Sequence, residues 1–464
     1  MDGAIRPVPR VAYERWLDAL ARAGWSPRPG QEPGRTGGDE PQGADGTEPV
    51  PVGEALGRVT AGPVTARWPS PRAACAAMDG IAVRAADLAA APAVAFAADA
   101  SAGDGPSDGG PAGDQPAGDQ AGGGRTVRLR AGLFEWIDTG DPVPDGADTV
   151  VIRERLLPQA DGGVLVAPAV RGMPGRGRNV RDAGEDFQAG ELLVPGGRRL
   201  RPGDLAAVAA GGHAAVLAVR RPAVAIIPTG DEIRPVGAAL RRGDIMDTNS
   251  LMLAARCRQL GAAATVSDVV PDDPDTLTAE IRQASAAADL VLVIAGSSRG
   301  RGDHSAAVLA QVGGVTVAGV AVRPGHPALL GHAKRPAGSD GEPARHRGGI
   351  APVIGLPGYP LAAAVVFELF AAPLLGALTG HPAAAERVPA RLDRDWNSPA
   401  DVEDWVLVTL RPGAHGLPAA SPARRGASSI SQLARADAWW PVPAGQGSFA
   451  AGTEIEVILI SGAR

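Results

Sequence analysis

Between residues 221 and 380 the chain repeats one arrangement: a short uninterrupted apolar run, a turn rich in Gly, Asp, Ser or Pro, then a segment of helical periodicity. Three of the runs are 223–228 (AVAIIP), 290–294 (LVLVI) and 352–356 (PVIGL). Apolar residues without alternation, many of them β-branched, suit strands covered on both faces, as parallel strands are. Parallel neighbours need long crossovers, and segments 250–260 and 275–287 read as helices that supply them. Another strand is expected over 264–270, and an apolar helix over 361–378. The fold class is therefore multidomain α/β plus β, with a central, mostly parallel α/β unit wound by right-handed crossovers.

In open α/β sheets ligands sit outside the carboxyl ends of the strands. The first run ends in Thr229-Gly230-Asp231-Glu232, and the third in Pro357-Gly358-Tyr359-Pro360. The second ends in Gly296, Ser297, Ser298, Arg299, Gly300, Arg301, Gly302 and Asp303. Glycine lets backbone approach a ligand, while hydroxyls, guanidinium groups and free N–H groups suit an anion. Asp303 stands where a helix should begin, so it also reads as a plain N-cap. A stiff corner, Pro324-Gly325-His326-Pro327, follows the next strand. Neither GxGxxG nor GxxxxGK[ST] follows a strand, which disfavours a generic nucleotide-binding protein.

On either side the patterns change. Residues 11–24 are helical in period, 205–214 read as a small-residue helix, and 178–204 as a hairpin. Met78-Asp79-Gly80 reads as a tight turn before a strand at 81–84, with another strand at 148–153; Asp79 is most simply a turn residue. Beyond residue 388 alternating runs at 405–410 and 453–459 predict a C-terminal β-barrel. Segments 28–48, 99–125 and 334–349 are low-complexity insertions. A net charge of -6 and a pI near 5.7 give no support for nucleic acid or an anionic membrane as partner. The two cysteines, Cys75 and Cys257, make no disulfide framework and suit a reducing cytoplasm. His213, His304 and His332 have no metal-ligand spacing, and Trp439 and Trp440 read as barrel cover.

Taken in order, these segments resemble the molybdopterin molybdenumtransferase family, the MoeA proteins and the E domain of gephyrin. The resemblance rests on Ala77-Met78-Asp79-Gly80, the turn at 139–148, Gly184-Glu185-Asp186 and Thr229-Gly230-Asp231-Glu232. It continues through Asp247-Thr248-Asn249, Asp272-Asp273-Pro274, the loop 296–303, Arg323-Pro324-Gly325, Leu356-Pro357-Gly358 and the run 428–436. It implies a homodimer of four-domain chains: 1–66 with 171–221 for dimerisation, a β-rich insertion at 67–170, the pterin-binding α/β domain at 222–380, and a barrel at 381–464. It implies insertion of molybdenum from molybdate into adenylylated molybdopterin with release of AMP, aided by Mg2+. The molybdopterin adenylyltransferase and acceptor molybdoenzymes would be its partners.

The resemblance assigns catalysis to Asp79, Asp186, Glu232, Asp272, Asp303 and Arg323, with Glu232, Asp272 and Asp303 on the metal. Substrate would be held by Thr229, Gly230, Asp231, Gly296, Ser297, Ser298, Arg299, Gly300, Arg301, Pro324, Gly325, His326, Pro357, Gly358 and Pro360. The chain departs from the family pattern at Ala295, Gly319, His326 and Tyr359, where the family usually carries Gly, Lys, Lys and Asn. Two permanent cations are thereby absent. A diverged paralogue that binds molybdopterin or a protein without turnover is the alternative, and Arg299 and Arg301 are candidate replacements for the charge.

Overall fold

The computed structural model describes residues 6–27, 46–94, 125–168, 173–295, 304–336, 349–381, 386–413, 416–424, 426 and 429–460. Most of the three insertions, and all of the loop 296–303, fall outside them. The chain divides into two compact units, one of residues 1–62, 196–201 and 215–464, the other of 63–195 and 202–214.

The first unit is built on a six-stranded sheet whose spatial order is Ala263–Val266, Ala223–Pro228, Leu290–Ala295, Ile350–Pro357, Leu329–Lys334, Gly313–Ala318. The first four are parallel, Leu329–Lys334 runs against them, and Gly313–Ala318 runs against Leu329–Lys334. Every residue of Leu290–Ala295 and Ile350–Pro357 is buried, as central strands covered on both faces must be. Successive side chains serve opposite layers: Leu290, Leu292 and Ile294 join one core with Trp16, Leu253 and Phe367, while Val291 and Val293 join another with Leu277, Ile281 and Val308.

The helices begin where local chemistry allows. Asp247 caps Thr248–Gln259 by accepting from the Ser250 N–H at 3.0 Å. Asp273 caps Pro274–Ala287 through the Thr276 N–H at 2.8 Å, with proline at the first helical position. Helix Pro9–Arg22 is pinned to the sheet by Trp16, fully buried, whose indole N–H donates to the Gly331 carbonyl at 2.8 Å. The helical stretch Pro360–Thr379 is long and apolar enough to cross a membrane, yet it lies in the core, and its Glu368 receives two hydrogen bonds from Arg256 at 2.7 and 3.0 Å. A π turn at Phe367–Ala371 precedes Pro373, which lacks the N–H that a regular helix would direct to Leu369.

Five strands then close a barrel. Glu403–Arg411 pairs with Ala419–Pro422 and Ala438–Val442, Arg387–Leu392 with Ala419–Pro422 and Glu454–Leu459, and the last with Ala438–Val442. Val322–Arg323 adds in parallel to its edge at Glu403 and Asp404, tying the corner of the α/β sheet to the barrel. Trp440 belongs to the barrel core; Trp439 packs on Trp405 at 5.8 Å in the core shared with the helices.

In the second unit Gly80–Val83 lies between Phe134–Ile137 and Thr149–Ile152, and a four-stranded sheet stands beside it. A Cβ at Gly80 would lie 1.9 Å from the Val151 carbonyl oxygen, so only glycine fits.

Three local expectations change. The hairpin expected within 178–204 does not form: Val180–Arg181 pairs with Cys75–Ala76, and Leu192–Val194 with Val64–Thr65. Both partners lie far upstream, beyond the reach of local pattern. The helix expected at 205–214 runs Pro202–Ala210, because proline starts it earlier and Gly211-Gly212 end it. The strand expected at 264–270 stops at Val266, and only Val270 returns, bridging Thr229.

Candidate functional site

A cleft of about 1360 Å³ opens at the carboxyl ends of the parallel strands. One wall is made by the turns after Ala223–Pro228 and Ile350–Pro357, by the start of Thr248–Gln259 and by the corner Val322 to Pro327. Barrel residues, including Trp396, Asp404, Trp405 and Arg424, form the other.

The first turn is held by its own polar groups. The Thr229 hydroxyl and N–H both donate to the Ile294 carbonyl, at 2.9 and 3.0 Å, fastening the loop to the neighbouring strand. Gly230, at φ 136, sends its N–H to Val270 at 3.0 Å. Asp231 Oδ1 accepts from the Asp272 N–H at 3.3 Å, which brings two strand-end loops together. Glu232 lines the cleft and lays a carboxylate oxygen 3.0 Å from where a Gly230 Cβ would stand. Behind Glu232 the chain forms a short strand, Ile233–Arg234, paired with Ile245–Met246.

Asn249 joins two further elements. Its Nδ2 donates to the Gly358 carbonyl at 2.7 Å, which fixes the Pro357-Gly358 turn against the helix start. The residue is 7% exposed, and its Oδ1 has no hydrogen-bond partner among the described residues. A buried acceptor left without a partner is costly, so it is suited to a donor brought by a ligand.

The corner holds its shape through the Val320 N–H donating to His326 at 2.9 Å and the Ala328 N–H donating to Gly325 at 3.1 Å. Gly325 has φ 121, and a Cβ there would meet Val366 at 2.9 Å. Arg323 and His326 are exposed to the cleft from this frame. Arg6 and Arg424 line it as well.

A family model for the probable molybdopterin binding domain matches residues 225–377. The MoeA N-terminal region (domain I and II) matches 21–212, and the MoeA C-terminal region (domain IV) 389–460. The molybdopterin molybdenumtransferase of Bacillus subtilis is 30% identical over 329 residues, covering 70% of this chain and 72% of that protein. The chain belongs to the molybdopterin molybdenumtransferase family. It has a role in molybdenum cofactor biosynthesis. The relative from Haemophilus influenzae is 29% identical over 245 residues, and the match spans 56% of that protein's length. A crystal structure of a molybdopterin biosynthesis MoeA protein from Pyrococcus horikoshii is 27% identical, covers 99% of this chain and 100% of that one, and superposes with a TM-score of 0.70.

Of the residues that the molybdenumtransferase resemblance singles out, Thr229, Glu232, Arg323, Pro324, Gly325, His326, Pro357, Gly358 and Pro360 line the one cleft. Gly230, Asp231 and Asp272 adjoin it through the turn just described. Gly296, Ser297, Ser298, Arg299, Gly300, Arg301 and Asp303 lie outside the described residues. His304, the first residue after them, sits near Asp273, whose carboxyl is held below the usual range by the Thr276 hydroxyl, then its N–H, then His304. Among the described residues no three His, Cys, Asp or Glu side chains gather to hold a metal ion.

Asp79 and Asp186 belong to the second unit. Asp79 is exposed and accepts from the Thr139 hydroxyl at 2.6 Å and N–H at 2.7 Å, which hold its carboxyl below the usual range. Asp186 is exposed, with its N–H on the Ser70 carbonyl at 3.0 Å. Cys75 is buried in a strand pair with Arg181.

Sequence reasoning named the Asp247-Thr248-Asn249 triplet without giving Asn249 a role, and it passed over Arg6, Arg424 and the barrel wall. Asn249 is an amide two positions past its helix cap, Asp247. Arg6 and Arg424 carry no local signal, because only the tertiary fold brings them to the cleft.

Proposed function

We propose that this cleft binds adenylylated molybdopterin and molybdate, inserts molybdenum into the dithiolene and releases AMP. The observation that carries the reading is the convergence of the turns at 229–232, 323–327 and 357–360, with Asn249, on one cleft that also presents Arg6, Arg323 and Arg424. Among the described residues these three guanidinium groups have no hydrogen-bond or ion-pair partner, as receptors for phosphate or molybdate oxygens need. Cleavage of the phosphoanhydride consumes one water, places its oxygen on one phosphorus and leaves AMP and the pterin phosphate. The arginines would neutralise charge that builds on the bridging oxygen. Asn249 Oδ1 would accept from a substrate N–H.

Asp272, whose backbone N–H donates to Asp231 Oδ1 at 3.3 Å, presents an exposed carboxylate of the kind that a hydrated Mg2+ prefers. When bound, Mg2+ supplies charge neutralisation of the phosphates. Asp272 would hold it with Glu232 and Asp303, as the family resemblance implies.

We infer also a cytoplasmic homodimer of the four-part chain set out above, in which Asp79 and Asp186 of one copy serve the cleft of the other. It would receive substrate from an adenylyltransferase and pass product to molybdoenzymes.

The test is AMP release from adenylylated molybdopterin with molybdate and Mg2+, with active cofactor followed in the same sample. Molybdate-dependent release that Asp272→Asn abolishes supports the reading. Tight pterin binding without release would overturn it in favour of a non-catalytic binder, to which Gly319, His326 and Tyr359 point.

A further inference from the structure

Gly319 stands at φ +86, immediately before the segment that enters the cleft corner. A Cβ built there would lie 2.9 Å from Arg6 Nε, 3.3 Å from Arg6 Cδ and 3.4 Å from the His326 carbonyl oxygen. The Arg6 stem therefore lies in the space that a side chain at 319 would take, and a Cβ there would push it aside. The arm that carries Arg6 is fixed: the Ala321 N–H donates to the Pro7 carbonyl at 2.8 Å, and helix Pro9–Arg22 follows, anchored by buried Trp16. Both holds lie just C-terminal to Arg6.

Arg6 lines the cleft together with Arg323, His326 and Arg424. Four carboxylates line it too: Asp404 accepts from the Ser398 hydroxyl at 2.8 Å, Asp247 caps its helix, and Glu232 and Asp401 form no hydrogen bond or ion pair with Arg6. Among the described residues Arg6 makes no hydrogen bond or ion pair, so its five donors are uncommitted. An uncommitted planar guanidinium on a seated stem is a receptor for a tetrahedral oxyanion.

We propose that Arg6, reaching over Gly319, is an oxyanion-binding residue of this cleft, for a phosphoryl group or molybdate. The proposal rests on the cleft being the substrate site argued above. Residue 319 and the N-terminal arm then act as one device, in which the strand gives up its side chain and the arm delivers the charge.

The experiment is calorimetric titration of the full chain with molybdate and, separately, with AMP, at low and at physiological salt. Arg6→Gln should weaken one of the two by about tenfold or more, the cost of a charge-assisted hydrogen bond. The ligand that loses affinity identifies the oxyanion. Arg6→Lys should recover part of the loss, and the difference between wild type and Arg6→Gln should shrink as salt rises. Gly319→Ala, which changes no charge, should cause a loss of the same sign, and Arg6→Gln with Gly319→Ala no more than the larger single change. The melting temperature of Arg6→Gln should match wild type, since the side chain is exposed.

Unchanged affinity for both ligands in Arg6→Gln overturns the proposal, as does a wild-type chain that binds neither. A wild-type chain that binds an oxyanion in an Arg6-dependent way but releases no AMP leaves Arg6 in place and overturns the transferase reading alone.

Discussion

Replacing Asn249 with alanine tests both roles of a buried residue of the cleft. The substitution removes the 2.7 Å bond from Nδ2 to the Gly358 carbonyl and the unpaired Oδ1 at once. A buried amide bond contributes about 1 kcal/mol net, and a carbonyl left without its donor costs about 1–3 kcal/mol. The Gly358 carbonyl borders an open cleft, where water replaces part of the lost donor. The stability loss is therefore set at about 1–2 kcal/mol, read as a fall in the denaturant midpoint with the slope unchanged. Asn249→Asp should be worse at neutral pH, because it turns an oxygen toward the Gly358 carbonyl in place of the donor. In the turnover assay Asn249→Ala should raise KM about tenfold if Oδ1 takes a substrate N–H. If Asn249→Ala keeps both its midpoint and its KM, the amide neither braces the turn nor meets the substrate, and the description of this wall is wrong.

Glu368→Gln removes the charge from a bidentate pair that is about four-fifths buried on both sides, so it should destabilise the first unit by about 1–3 kcal/mol while cofactor formation per folded molecule stays unchanged. Thr139→Ala deletes the hydroxyl that is the first cause of the low Asp79 carboxyl pKa, and NMR titration should show that pKa moving up toward the ordinary range. The sign follows from a carboxyl depressed in the folded state: the Asp79–Thr139 contribution is present above the unfolded carboxylate pKa and is lost as pH falls through the folded one. A downward movement would show that Thr139 does not govern Asp79.

The parts of the fold that were legible in the sequence are those where burial acts on consecutive residues. Leu290–Ala295 and Ile350–Pro357 have no solvent face, so their apolar runs are unbroken and their ends visible. The helix starts were legible because Asp247 and Asp273 cap them within three residues. What was not legible is pairing at a distance. Val180–Arg181 and Leu192–Val194 look like the arms of a hairpin, since the turn between them contains Gly184 and Gly190. Each instead finds a partner upstream. The site divides in the same way. Turns that follow strands are marked by their own Gly, Pro and Asp residues, whereas the barrel wall and Arg6 reach the cleft through distant contacts, among them the pairing of Val322–Arg323 with Glu403 and Asp404 and the bond from Ala321 to Pro7.

His326 tests whether the cleft wants permanent charge or only donors at its corner. Its carbonyl takes the Val320 N–H at 2.9 Å, so the backbone stays fixed when the side chain changes, and the ring is exposed. An imidazole loses its charge near neutral pH, whereas a lysine keeps it. With Arg6, Arg323 and Arg424 already lining the same cleft, a fourth cation adds to an existing field instead of creating one. At an effective dielectric near 20, a charge about 4 Å from an anion contributes about 4 kcal/mol before screening, and exposure to salt removes most of that. His326→Lys should therefore improve oxyanion affinity by no more than about tenfold. Calorimetry with the oxyanion reads the size of the change. A large loss would mean that the ring itself is used, as a donor or acceptor to the substrate, and that the arginines already supply all the charge the corner requires.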